Sequence, residues 1–283
     1  LFPYTTLFRS SMQNGRHFIS GLPRSGSTLL AALLRQNPRF HAGMTSALGS
    51  LYLSLLAEMS GRNEFSVFIN ERQRRTILES LFESYYSEIS PTQLVFDTNR
   101  IWCAKIAGLA QLFPKARLIC CVRHMSWIID SVEQLIQRNA FEPSKMFNFE
   151  PAGTVYSRSD GVASSSGFVG FAYNALKEAY FGTEAKRLIL LQYDSLTRRP
   201  IETLRRLYEE LGEPWFEHDI ENVAYEEAAE FDARLGTPGL HQVGSRVRAS
   251  ERETILPPDI FRRFEGDNFW RDPSLNIRGV LVI

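Results

Sequence analysis

The chain has no surplus charge, few cysteines and no long hydrophobic run. Lys and Arg total 32 against 32 Asp and Glu, so no overall field draws it to nucleic acid or to a membrane, and any anion site has to be local. The three cysteines, Cys103, Cys120 and Cys121, form no CxxC pair and no metal-ligand spacing. Two of them fall in the apolar stretch 118–122, where Cys behaves as a small buried hydrophobe. A reducing compartment, the cytoplasm, is the expected home. No apolar stretch approaches the ~18–20 residues that span a bilayer, so neither membrane nor nucleic acid is an expected partner, and the oligomeric state is left open.

What is present is a large apolar reserve. Of 283 residues, 44% are hydrophobic, with 20 Phe, 10 Tyr and 4 Trp, ample for one large domain. The first ten residues, LFPYTTLFRS, read as the translation of a common short-read sequencing adapter. Residues 1–11 are therefore expected to be a non-native tail, with Met12 the native start and 12–283 a single domain.

Strand and helix patterns alternate from there on, with no internal repeat and no linker. Short apolar strands are expected at 17–21, 94–97, 117–122 and 187–193. Helices are expected over 25–36, 48–60, 70–88, 101–112, 126–138, 168–181, 199–211 and 258–264. The run RLICCV, 117–122, is apolar after its first residue, so both faces of that strand must be covered, as in a parallel sheet between helices. The stretch 139–166 reads as a mobile loop, and 232–256 shows little periodicity. The expected fold class is α/β: a three-layer P-loop-type fold with a mostly parallel central sheet flanked by helices.

The most informative segment is FISGLPRSGSTLLAALL, 18–34. A strand that feeds a helix through a glycine turn aims several N–H groups and the helix's positive end at one point, which makes an anion cradle. Gly21 and Gly26 allow the turn, while Ser27 and Thr28 add hydroxyls. Strand context, two glycines and the embedded Arg24 favour this over a plain Ser-capped turn. A nucleotide-hydrolysing loop carries Lys directly after its second glycine and uses Ser or Thr to hold Mg²⁺. Here Ser27 occupies that position, the loop's only cation is Arg24, and no metal is called for.

These residues resemble the PAPS-dependent sulfotransferases, in the bacterial soluble branch and similar to protein-tyrosine sulfotransferase-like members. PRSGSTLL is similar to the family's 5′-phosphosulfate loop. The resemblance implies that Arg24, Ser25, Gly26, Ser27 and Thr28 bind the donor, 3′-phosphoadenosine-5′-phosphosulfate (PAPS). CCVRHMSWIIDSVEQL is similar to the family's second motif, which implies that Arg123 and Ser131 grip the 3′-phosphate. An Arg at a strand's carboxyl end and a Ser on the next helix can converge where α/β folds bind ligands. LLQYDSLTRRPIETLRRLYEELGEP is similar to a third segment, which implies that Tyr193 lies beside the adenine. The likeness covers most of 16–275. The implied reaction is transfer of a sulfuryl group from PAPS to a hydroxyl or amine of an unidentified acceptor.

Arg24 would stabilise the leaving phosphate. The acceptor also needs a base, and the family's usual positions do not supply one: Thr45 stands where one branch has Glu, and VFDTNRIW lacks the His of the other. Asp97, at a strand's carboxyl end, is the best candidate by position, although capping the next helix explains it equally well; His41 and His124 are reserves. Arg246, Arg248 and Arg252 resemble the basic loop that closes over the 3′-phosphate in relatives, and a solvated charge run explains them nearly as well. Two rival readings stand beside the transferase: an ATP-dependent P-loop kinase, and an inactive nucleotide-binding module.

Overall fold

The computed structural model describes residues 15–225, 229–249 and 251–283. The adapter-like segment 1–11 lies outside the described residues.

Six strands form one parallel sheet: β1 (Arg16–Gly21), β2 (Phe40–Ala42), β3 (Leu94–Thr98), β4 (Leu118–Val122), β5 (Leu188–Gln192) and β6 (Leu281–Val282), in the order β2-β3-β1-β4-β5-β6. Alternation along each strand sorts the core into two layers. Phe18, Val95, Leu118, Cys120, Val122, Leu188 and Leu190 join one cluster. Ile19, Phe96, Ile119, Cys121, Ile189 and Leu191 join the other. The apolar run of β4 is thus buried on both faces, and all three cysteines are buried and free.

Helices cover both layers. Against the second cluster lie α1 (Ser27–Leu34) and α9 (Pro200–Leu211), which bury Leu30, Leu33, Leu34, Leu204 and Leu207. Against the first lie α2 (Leu48–Glu58), α3 (Glu71–Tyr85), α5 (Met125–Arg138) and α7 (Gly170–Phe181). The register Phe18↔Leu118 to Gly21↔Cys121 sets β1 beside β4. The chain lays β2 and β3 on one side of β1 and then crosses to the other for β4. That reversal opens a crevice beyond the carboxyl ends of β1 and β4, where parallel α/β sheets bind ligands.

Several expected elements differ in detail. Strands β2 and β6 lie outside the expected strands, since three and two residues carry no period to read. The helix expected over 101–112 divides into a 3-10 turn, Arg100–Lys105, and α4 (Ile106–Leu112). The expected loop 139–166 contains α6 (Val155–Ala163), started by a capping box at Thr154 and Ser157. Its only buried residues are Ser159 and Val162, so no apolar stripe announced it. Strand β5 stops at Gln192, and Tyr193 opens α8 (Tyr193–Arg198). The chain continues through α10 (Ala229–Arg234) and α11 (Pro258–Arg263).

Candidate active site

At the crevice, the chain leaves β1 at Gly21, whose φ of 100° and close approach to the Cys121 carbonyl leave no room for a Cβ. The Leu22 N–H donates to that carbonyl at 2.9 Å, holding the turn against β4. Ser25 is fully buried, and its hydroxyl donates to the carbonyls of Leu22 and, at 2.8 Å, Cys121. The Ser25 side chain therefore braces the turn from inside. Gly26 has φ 94°, and a Cβ there would meet Tyr193 Cδ2 at 2.9 Å. The loop backbone and the Tyr193 ring are packed as closely as glycine allows.

Arg24 is held in the left-handed region at φ 57°, a conformation that costs a non-glycine residue roughly 1 kcal/mol. Its Nε donates to Ser131 Oγ at 3.0 Å and its Nη1 to the Leu240 carbonyl. Arg123, at the end of β4, donates to the Arg24 carbonyl at 3.3 Å and lies 4.3 Å over the Tyr193 ring. Two guanidinium groups thus converge on one loop, and neither forms an ion pair among the described residues. Burial and the neighbouring Arg123 pull the Arg24 pKa down to about 10. Burial also lowers that of Arg123.

These residues line a cleft of about 1010 Å³ with Gly26, Ser27, Thr28, Arg24, Arg123 and Tyr193 on its wall. The Ser27 and Thr28 hydroxyls open the first turn of α1, whose leading N–H groups have no intrahelical acceptors. Ser131 is 8% exposed and meets the loop through Arg24 rather than through the cleft. Arg246 and Arg248 line the cleft, whereas Arg252 is held by Asp130 and lies 5.0 Å over Trp127.

Asp97 is placed elsewhere. It is fully buried, accepts from Tyr86 Oη at 2.5 Å and from Trp102 Nε1 at 2.7 Å, and is not on the cleft wall. Burial raises its pKa. Strand alternation sets Asp97 on the face of Val95, into the aromatic cluster, and its carboxyl serves those two donors there. His41 packs edge-on to Tyr86 and His124 stacks on Phe261, and neither lines the cleft.

A different histidine does line it. His241 Nδ1 lies 2.5 Å from Asp232 Oδ1, and the His241 N–H donates to Asp232 Oδ2 at 2.8 Å. Asp232, on α10, is 1% exposed. The segment between them returns through Gly236 at φ 62° and Gly239 at φ 82°. Nothing in the periodicity of 232–256 signalled this pair; the turn residues in DARLGTPGLH are the one cue that could have.

A second cavity of about 700 Å³ adjoins the first and shares Arg100, Phe168, Phe231, Leu235 and Leu240 with it. Arg100 lies 4.1 Å over the Phe168 ring at this junction. Residues from Lys145 to Phe168, including α6, supply much of the remaining wall.

A parallel six-stranded sheet flanked by helices, with a glycine-bounded loop carrying Arg24 at its switch point and Ser27 directly after Gly26, defines an α/β protein with a cationic cleft at the carboxyl ends of its strands. The sequence profile described as the sulfotransferase family matches residues 17–217. The chain belongs to the sulfotransferase family and is a sulfuryl-transferring enzyme. A search of the curated proteins finds no match. Among solved structures, a sulfotransferase from Alicyclobacillus acidocaldarius is similar at 12% identity and TM-score 0.50, covering 92% of this chain and 94% of that one. The sulfotransferase domain of the Synechococcus PCC 7002 olefin synthase is 18% identical over 88% and 93% of the two chains, with TM-score 0.45. The sulfotransferase domain from the curacin biosynthetic pathway is 16% identical over 71% and 75%, with TM-score 0.49.

Proposed function

We propose that the enzyme takes its sulfuryl group from PAPS and binds that donor in the larger cleft. The carrying observation is the pair Arg24, on the loop, and Arg123, at the end of β4: two partly buried cations that converge with no carboxylate paired to either among the described residues. Such a pair is unfavourable until an anion sits between the groups. A donor with phosphates at both its 3′ and 5′ positions matches two separate guanidinium groups better than a single phosphate chain does.

The chain's own groups then divide the work. Arg24, the Ser27 and Thr28 hydroxyls and the first-turn N–H groups of α1 hold the 5′-phosphosulfate and stabilise the charge that builds on the leaving phosphate oxygen. Arg123 holds the 3′-phosphate, with Ser131 fixing the orientation of Arg24 in the form described. Tyr193, packed on Gly26 and faced by Arg123, offers a ring for the adenine. The acceptor occupies the second cavity and meets the donor at the shared wall of Arg100, Phe168, Phe231, Leu235 and Leu240. The test is incubation with sulfur-labelled PAPS and a panel of phenols, alcohols and amines. Label in an ester or sulfamate, lost in Arg24→Ala, supports the reading; label that stays in the nucleotide with every acceptor and with water refutes it.

A further inference from the structure

Every position from which the sequence suggested a base is withdrawn from the cleft, yet the cleft wall holds a histidine oriented by a buried carboxylate. Asp232 binds His241 twice, at the ring Nδ1 and at the backbone N–H. A carboxylate on Nδ1 keeps the proton there and leaves Nε2 with its lone pair. Nε2 makes no hydrogen bond among the described residues, and the side chain keeps 21% of its surface accessible. Leu240, the residue before, accepts from the Arg24 guanidinium, so the backbone ties the imidazole to the donor loop. The Phe231 ring lies 5.7 Å from that of His241 and belongs to the wall between the two cavities.

We propose that His241, positioned by Asp232, is the base that takes the acceptor's proton, an inference resting on the donor assignment above. As the acceptor oxygen forms its bond to sulfur, its O–H bond breaks and the proton passes to Nε2. The bond between sulfur and the 5′-phosphate oxygen breaks in the same displacement. The products are the sulfated acceptor, adenosine 3′,5′-bisphosphate and an imidazolium, which returns its proton to solvent. The groups whose charges reach His241 are Asp232, Arg24 and Arg100. Burial lowers the imidazole pKa, Asp232 opposes that, and the two arginines add to it, so the neutral form that can act as a base predominates near neutral pH.

The test compares wild type, His241→Gln and Asp232→Asn in two measurements, binding of adenosine 3′,5′-bisphosphate and transfer of label from PAPS. Acceptors are water, a primary alcohol, and 4-nitrophenol at a pH where it is ionised and needs no base. His241→Gln should bind the bisphosphate within threefold of wild type. It should lose about 100-fold or more of its turnover with water and the alcohol, and much less with the nitrophenolate. The acidic limb of the wild-type pH profile should vanish in His241→Gln and move to lower pH in Asp232→Asn. Turnover of His241→Gln within threefold of wild type, or an equal loss with all acceptors, overturns the proposal. Absence of bisphosphate binding in wild type and variants alike overturns the donor assignment instead.

Discussion

Replacing Arg24 with alanine separates a side chain that stabilises the fold from one held in place for a ligand. In the free protein the replacement has opposing consequences. It removes two hydrogen bonds, to Ser131 Oγ and to the Leu240 carbonyl, worth about 1 kcal/mol each. It also removes a partly buried guanidinium beside Arg123 whose pKa is drawn down to about 10, an unfavourable placement of roughly 3 kcal/mol before solvent screening reduces it. The terms nearly cancel, so the variant's Tm without ligand should stay within about 3 °C of wild type. Binding has no such cancellation. Loss of the cation facing the 5′-phosphate should weaken adenosine 3′,5′-bisphosphate by a large factor and slow transfer several hundred-fold, about 3–4 kcal/mol at the transition state. Differential scanning fluorimetry with and without the bisphosphate reads both halves. Refutation would be a variant several kcal/mol less stable that still gains the full wild-type shift from the ligand.

Further outcomes follow from the same geometry. Asp97→Asn leaves Tyr86 and Trp102 competing for one acceptor oxygen and should cost about 1–3 kcal/mol of stability; bisphosphate affinity and turnover should stay within threefold, and a selective loss of turnover would return Asp97 to the chemistry. Gly26→Ala puts a Cβ against Tyr193 at φ 94° and should weaken the bisphosphate at least about tenfold, since it disturbs both the loop and the ring; unchanged affinity would separate Tyr193 from the site. His17 accepts from the Arg117 N–H at 3.0 Å, and burial lowers its pKa to about 4. Its folded-state pKa lies below the unfolded one, so the unfolded chain binds more protons between about pH 6.5 and 4 and stability falls as pH drops through that window, by roughly 3 kcal/mol from this residue. Denaturant midpoints for His17→Gln should show a shallower pH slope there, and an unchanged slope would contradict the assignment.

The glycine-bounded loop and the arginine at the end of β4 were legible in the sequence because each is local. One strand, one turn and one helix carry Arg24 through Thr28, and Arg123 follows directly from the apolar run of β4. The sheet was legible for the same reason, through buried strands of five or six residues. Asp97 shows where local reading ends. Its position at a strand's carboxyl end suggested the crevice, but which face it takes depends on alternation from Val95, and on Tyr86 and Trp102 arriving as donors. The Asp232–His241 pair is the opposite case, set by two left-handed glycines in a segment without periodicity. Helix α6, docked by the Arg158–Glu133 ion pair, likewise depends on a partner 25 residues away. Pairings made by tertiary return are the ones that a one-dimensional pattern cannot show.

The most direct measurement is a calorimetric titration of the wild-type protein with adenosine 3′,5′-bisphosphate and, separately, with ATP, each with and without Mg²⁺. On the proposed donor assignment, with Arg24 and Arg123 each taking one phosphate and Ser27 standing where a Walker lysine would be, the bisphosphate should bind more tightly than ATP, with no requirement for Mg²⁺. Tighter binding of ATP that depends on Mg²⁺ would contradict the donor assignment and point to a kinase.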